Sequence, residues 1–159
     1  MAFRLRSSVD QWFKHIGPKK EGALKTKFDL FYLCLLLGFA DGKPEKPGNA
    51  PEFVNAFISE YQGSQNIIIG LLILAELSRQ GIKATEKESV RQVFNNYVDT
   101  KSPTNLSSNG EAKINEYASR GFDILCKEIT TVPYDEADFL RQYISVASRL
   151  VDSSDNWTN

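Results

Sequence analysis

The segment from Phe28 to Phe39, FDLFYLCLLLGF, constrains the fold more than any other stretch of this sequence. Ten of its twelve residues are apolar or aromatic, and Asp29 is its only charged residue. Twelve helical residues rise about 18 Å, well short of the roughly 30 Å of hydrocarbon in a bilayer. The segment is therefore predicted to be a helix buried inside a protein, at the centre of its core.

A second strongly apolar run extends from Asn66 to Arg79 and contains the letters IIIGLLILA. The run is longer than a typical strand, so the pattern favours a helix that is apolar on every side. Shorter amphipathic segments precede and follow these two runs. The sequence therefore predicts an all-α, single-domain bundle of about seven helices around two buried central helices, Phe28–Phe39 and Ile67–Leu77.

Capping and turn residues predict where the other helices begin. Pro51 is placed to open a third helix whose apolar stripe includes Phe53, Val54 and Phe57. Two capping boxes, Thr85 to Glu88 and Ser108 to Glu111, predict the starts of the fifth and sixth helices, and Pro133 predicts the start of the last. On the sixth helix, Gly121 is expected to permit either the close approach of a neighbouring helix or a small kink.

Length and composition indicate one domain that needs no metal ion or disulfide to fold. The 159 residues are 42% apolar and 25% charged, which is typical of a globular domain. We expect this domain to cover residues 1–151, with a disordered tail at 152–159. The amino terminus lacks the features of a secretory signal, so a cytoplasmic protein is expected. The two cysteines, Cys34 and Cys126, are expected to be buried free thiols.

Basic side chains are concentrated at the amino terminus. Residues 1–27 hold seven basic side chains against two acidic ones, although the net charge of the whole chain is −1. The basic residues are Arg4, Arg6, Lys14, Lys19, Lys20, Lys25 and Lys27. Such a segment could contact DNA phosphates, dock an acidic partner, or pair with the protein's own acidic carboxyl-terminal part.

Catalytic motifs are weak in this sequence. His15 is the only histidine, so histidine-based metal clusters are excluded, and a boundary position on a short helix suits it better than a catalytic role. Glu111-Ala112-Lys113 matches a nuclease Glu-x-Lys motif, but it falls at a helix start, where Glu111 is expected to act in capping. A protein without enzyme activity, cofactor or metal ion is therefore expected.

Two sequence patterns resemble a known class of proteins. An apolar helix ending in LLLGFADGK is followed much later by INEYASRGFDIL, in which Glu116, Tyr117, Ala118, Gly121, Ile124 and Leu125 carry the second pattern. The combination resembles small proteins encoded beside bacterial DNA phosphorothioate modification and restriction (Dnd) systems. Where that family has Asn-Gly, this chain has Ser119-Arg120. In size and helical character it also resembles small middle subunits of Lamassu-type systems with SMC-like ATPases.

These resemblances imply a non-catalytic accessory or adaptor subunit of a bacterial anti-phage defence complex that acts on DNA. The implied partner is a larger ATPase or nuclease subunit. The alternative is a small DNA-binding module that contacts duplex DNA directly through the basic amino-terminal segment. Trp12 and Phe13, large aromatics flanked by basic residues, are candidates for the partner interface. The same two residues could instead belong to a short helix that covers the core.

Overall fold

Helices dominate the structure. The computed structural model describes residues 2–16 and 22–153, which form seven α-helices and one two-stranded sheet. In chain order the elements are β1 (Phe3–Arg4), α1 (Ser8–Trp12), α2 (Lys27–Asp41), β2 (Glu52–Val54), α3 (Ser59–Gln62), α4 (Gln65–Arg79), α5 (Lys87–Tyr97), α6 (Ser108–Glu128) and α7 (Glu136–Ser153). The prediction of a mainly α-helical fold with seven helices is confirmed.

The predicted central helix is α2, and its ends are capped by local side-chain and backbone chemistry. The Thr26 hydroxyl accepts a hydrogen bond from the Asp29 backbone N–H, and the Asp29 carboxylate accepts one from the Thr26 backbone N–H. This reciprocal pair satisfies amides that the first helical turn leaves unpaired. Gly42 ends the helix in the left-handed conformation at φ 74°, which glycine adopts without steric cost.

The long helix α6 packs along α2 at backbone-to-backbone distance. A Cβ atom at Gly38 of α2 would collide with the backbone carbonyl of Tyr117, and one at Gly121 of α6 would collide with the carbonyl of Cys34. The two contacts are reciprocal, because each helix places a glycine against the other helix's backbone. The expectation that Gly121 permits the close approach of a neighbouring helix is confirmed.

The prediction of a third helix that opens at Pro51 is wrong. Residues 52–54 form strand β2, which pairs antiparallel with β1, and only Ser59–Gln62 make a single helical turn. The extended segment is followed by Phe57, whose ring joins an aromatic cluster around Phe3 of β1. The Phe3 ring lies 4.8 Å from Phe57 and 5.0 Å from Phe28, both edge-on. Helical periodicity in so short a segment did not distinguish these two outcomes.

Both predicted capping boxes are also displaced. Helix α5 begins at Lys87 with Glu86 at its cap and without a side-chain cap bond, because the Glu86 carboxylate accepts from the Lys83 backbone N–H at 2.6 Å. Helix α6 is capped by Ser107, whose hydroxyl accepts from the Gly110 backbone N–H at 3.1 Å. Glu111 is therefore the fourth residue of α6, one position beyond the place that the predicted capping box gave it.

The carboxyl-terminal helix is longer than the sequence suggested. Helix α7 continues to Ser153, so the first two residues of the tail expected at 152–159 are helical. The rest of that tail, residues 154–159, lies outside the described residues.

Candidate functional site: an apolar groove between α4 and α5

One side of α4 is open to solvent and apolar. Ile67 is 64% exposed and Leu74 is 56% exposed, although both belong to the run expected to be buried on every side. Gly70 and Leu71 lie between them at helical spacing, so the four residues form one stripe along the helix. The opposite side of α4 is buried, with Ile68, Leu72 and Ala75 among its core residues. Helix α4 thus packs against the core on one side and faces solvent on the other.

The open side of α4 forms a groove with α5. The groove has a volume of about 750 Å³. The α5 wall includes Phe94, whose side chain is 48% exposed. The lining residues are Asn66, Ile67, Ile69, Gly70, Leu71, Ile73, Leu74, Leu77, Ala84, Val90, Phe94, Val98, Thr100 and Asn105. None of these described lining residues is charged, so the groove offers an apolar and electrically neutral surface.

A second depression lies on the other flank of the same helix. It has a volume of about 290 Å³ and is lined by Leu36, Phe39, Ala40, Leu71, Leu74 and Ala75. Leu71 and Leu74 line both depressions, so they form a ridge of α4 that separates them. The apolar surface therefore continues from α2 across α4 to α5. It is a contiguous patch, unlike the single exposed apolar side chains that are common on protein surfaces.

A buried carboxylate lies behind the groove. Glu76 is fully buried, and its oxygens accept hydrogen bonds from the hydroxyls of Tyr97 and Tyr117, each at 2.7 Å. Arg79 donates to the same carboxylate from Nε at 2.9 Å and from Nη2 at 2.7 Å. Burial by itself raises the pKa of the Glu76 carboxyl, but these donors outweigh burial and lower that pKa to about 2. Glu76 is therefore ionised and paired.

This hydrogen-bonded network joins three helices. Glu76 lies on α4, Tyr97 on α5 and Tyr117 on α6. Burial and the hydrogen bond to Glu76 raise the pKa of both tyrosine hydroxyls, so both stay protonated and continue to donate. Because the bond from Tyr97 to Glu76 connects α5 to α4, it restricts the separation of the two walls of the groove. The sequence carried a signal for this network, a lone glutamate inside an apolar run, but not the identity of its partners.

The basic residues nearest the amino terminus bind groups of the protein itself. Arg4 donates from Nη1 to the carbonyl oxygen of Ala50 at 3.1 Å. Arg6 forms an ion pair with Asp123, and its guanidinium lies 5.1 Å from the centre of the Phe122 ring. Both arginines therefore anchor the amino-terminal segment to the rest of the fold. The charge of Arg6 is paired by a carboxylate, whereas the contact of Arg4 is with a neutral carbonyl.

The remaining basic candidates divide into paired, exposed and undescribed residues. Lys27 forms an ion pair with Asp10 at 3.0 Å. The other candidates are Lys14, Lys19, Lys20 and Lys25. Lys14 and Lys25 are exposed, whereas residues 19 and 20 lie outside the described part of the chain. The described members of the set thus differ in environment, since Arg6 and Lys27 are paired with carboxylates whereas Lys14 and Lys25 are exposed.

The two aromatic candidates for a partner interface lie in the core. Trp12 is 9% exposed and Phe13 is 1% exposed. The ring of Phe139 on α7 packs against both, at centroid distances of 5.8 Å from Trp12 and 5.3 Å from Phe13. The prediction of an exposed anchor is corrected by this burial, because both rings close the core beneath α7. Their position agrees with the alternative in which the first helix covers the core.

The residues weighed for catalysis make structural contacts. The ring of His15 stacks on Tyr134 at a centroid distance of 3.8 Å. The buried carboxylate of Glu111 accepts a hydrogen bond from the Thr104 hydroxyl at 2.9 Å. Both cysteines are free, but Cys126 is exposed, which contradicts the expectation that both thiols are buried.

Within residues 2–16 and 22–153, no group of three or more His, Cys, Asp or Glu side chains is placed to hold a metal ion. In the same ranges no helix has the length and apolarity needed to cross a membrane. No family model, curated protein or solved structure matches this chain.

Proposed function

We propose that this protein is a non-catalytic adaptor that binds another polypeptide through the apolar surface of α4 and α5. The observation that carries the proposal is that α4 reverses the usual burial of charged and apolar side chains. It buries its one carboxylate, Glu76, and exposes Ile67 and Leu74. Leaving a large aliphatic side chain in water forgoes about 1.5–3 kcal/mol of burial free energy. A contiguous surface of such side chains is typical of a site that a partner covers.

The chemistry of the groove favours a protein partner. Its lining is uncharged, and the centres of protein interfaces are depleted of charged residues. The aromatic ring of Phe94 stands on one wall, and aromatic side chains are enriched among the residues that contribute most to binding. The opposite wall, α4, is joined to α5 and α6 by the Glu76 network. A rigid apolar groove of this kind can bind with little loss of conformational entropy.

The assembly that we propose for this adaptor is a bacterial anti-phage defence complex that acts on DNA. The partner would be the larger ATPase or nuclease subunit implied by the resemblance to phosphorothioation-associated and Lamassu-type proteins. Direct DNA binding is the rival function. The ion pairs of Arg6 with Asp123 and of Lys27 with Asp10 favour the adaptor, because a phosphate would have to compete with those carboxylates.

Co-purification from the native host tests the proposal. The tagged chain should retain a larger protein whose complex hydrolyses ATP or cleaves DNA. Leu74→Lys should weaken that association at least about tenfold, because it places a charge in an apolar contact. Gln92→Lys is the matched control, since Gln92 is exposed on α5 and does not line the groove. Equal retention by the two variants would locate the docking site elsewhere.

A separate measurement tests the alternative that the protein binds DNA directly. Fluorescence anisotropy of the pure chain with duplex DNA should show no binding at micromolar protein and moderate salt. Phosphate contacts by several cations make the logarithm of affinity fall steeply with the logarithm of salt concentration. Micromolar binding with a steep salt dependence, lost on charge reversal at Lys14 and Lys25, would replace the adaptor by the DNA-binding module.

A further inference from the structure

Glycines inside the described helices share one feature, with a single exception. At Gly38, Gly110 and Gly121 the position of a Cβ atom is already occupied by a backbone carbonyl of a neighbouring segment. Each of these glycines therefore lets another backbone approach closely. At Gly70, in α4, nothing lies within 4 Å of the position where a Cβ would be. Glycine weakens a helix interior relative to alanine, and the folded chain shows no contact that uses its absent side chain.

Gly70 also occupies the middle of the exposed stripe. Ile67 precedes it by three residues and Leu74 follows it by four, so large side chains flank the gap one turn away on each side. Two ridges around a glycine notch form the kind of surface into which a second helix packs at short distance. The long walls of the groove are helices and neither β1 nor β2 lines it, so an extended peptide would find only the isolated bridge of Val98 with Leu106 to pair beside.

The lack of net charge around Gly70 further limits the kind of surface that can bind there. The charged side chains of α4 are Glu76 and Arg79, which are paired with each other at 2.7 Å. The surface around Gly70 is therefore neutral, and an unpaired charge buried against it would be strongly unfavourable. The complementary surface is one without charge along its line of contact.

On the premise of the proposed function, we infer that the groove binds an α-helix of the larger partner chain whose backbone crosses α4 at Gly70. The contact face of that helix is apolar and uncharged, and its charged residues point away from the groove. The partner helix fills the Gly70 notch as α6 fills the notch at Gly38. A second copy of this chain and a lipid acyl chain are the other possible occupants, and the experiment separates them.

Site-specific photo-crosslinking of the full chain in its native host tests this inference. Benzoylphenylalanine at position 94 places the crosslinker on the groove wall, and the same residue at position 134, which is 77% exposed, is the control site. The expected adduct joins position 94 to one larger protein. Its peptide map should identify a segment with apolar residues at helical spacing and without charge on that face.

Variants at Gly70 then separate the inference from the proposed function. Gly70→Leu should reduce the adduct at least tenfold and Gly70→Ala several-fold, whereas Gly63→Ala, outside the groove, should leave it unchanged. The isolated Gly70→Ala chain should melt at a higher temperature than wild type, because its methyl group meets open space. If the chain that carries the crosslinker at position 94 and an unchanged Gly70 forms no adduct with a larger protein, or only with its own copies or with lipid, both the adaptor and the partner helix are overturned.

Other outcomes would overturn the inferred partner helix but leave the adaptor proposal in place. An adduct with the larger protein that is equally abundant in Gly70→Leu leaves the adaptor in place and removes the crossing at Gly70. An adduct that maps to an extended or charged segment has the same meaning. A lower melting temperature for Gly70→Ala would show that the notch is not open in the isolated chain.

Discussion

Helices α2 and α4 are both fifteen residues long and strongly apolar, yet their surroundings differ. No residue of helix α2 is exposed, because α6, α7 and the aromatic cluster pack against it. The backbone of α6 occupies the position that a Cβ atom would take at Gly38. Helix α4 is covered on one side only, and its glycine faces open space. The difference shows that uniform apolarity in a sequence predicts that a surface will be covered, but not that the same chain covers it.

Charge follows a different pattern in the two helices. The one carboxylate within α2's apolar run, Asp29, lies at the helix start and caps it. The one carboxylate of α4, Glu76, lies deep in the core and is held by donors from three helices. Helix α4 thus directs its polar group inward and its aliphatic side chains outward. That arrangement suits a helix with core contacts on one side and a partner on the other.

The largest expected contrast comes from the same substitution in each helix. Leu35→Asp should unfold the protein, because Leu35 is 1% exposed and an unpaired buried carboxylate costs several kcal/mol, comparable to the total stability of a domain. Leu74→Asp should cost less than about 1 kcal/mol, mainly through helix propensity. Circular dichroism and urea titration of both variants measure the contrast. A soluble, cooperatively melting Leu35→Asp chain would show that α2 is not central.

Periodicity predicted the helices that bury the most surface and failed where tertiary contacts decide. The apolar runs identified α2 and α4, a capping box placed the start of α6 within one residue, and Gly121 signalled a close helix contact. Residues 52–54 form a strand because they pair with β1, where Phe3 lies opposite Val54, and such a pairing between distant residues leaves no local pattern. The open side of α4 was not predictable either, since Ile67 and Leu74 look like core residues in the sequence.

The second contrast concerns the glycine contacts of α2 with α6. Gly121→Ala should destabilise the protein by about 3 kcal/mol or more, because a methyl group there collides with the backbone carbonyl of Cys34 and the helices must separate. The contact involves backbone, so no side-chain rotation can relieve it. Chemical denaturation gives the change in free energy of unfolding. A loss below about 1 kcal/mol would mean that the two helices can part without disturbing the core.

The third expected effect is a pH dependence that arises from Glu76 of α4. The folded-state pKa of Glu76 is about 2, below its ordinary value of 4.5. The carboxylate therefore contributes stability that is fully present above about pH 5 and is lost as pH falls towards 2. Glu76→Gln should lower stability near neutral pH by about 3 kcal/mol, since Arg79 and two tyrosine hydroxyls lose an ionised acceptor.

The shape of the pH profile distinguishes this network from other acidic groups. Hydrogen bonds also lower the pKa of Asp29, through Tyr61 and the Thr26 cap, against the opposing effect of burial. The difference between wild type and Glu76→Gln, measured by urea denaturation from pH 7 to pH 2.5, isolates the Glu76 contribution. The two curves should converge as pH falls. Parallel curves across this range would assign the acid sensitivity to other carboxylates.

The smallest expected effect has the opposite sign and completes the comparison of the two helices. Gly70→Ala should stabilise the isolated protein by about 1 kcal/mol, because alanine favours the helix and its methyl group meets no atom within 4 Å. The same substitution at Gly121 destabilises, so two glycine-to-alanine changes should shift the urea midpoint in opposite directions. Gly63→Ala, also in open space but outside the interior of α4, controls for a general effect of removing glycine from the unfolded chain. If Gly70→Ala destabilised the isolated chain as Gly121→Ala does, α4 would already be covered at that position, and the contrast between the enclosed and the open helix would fail.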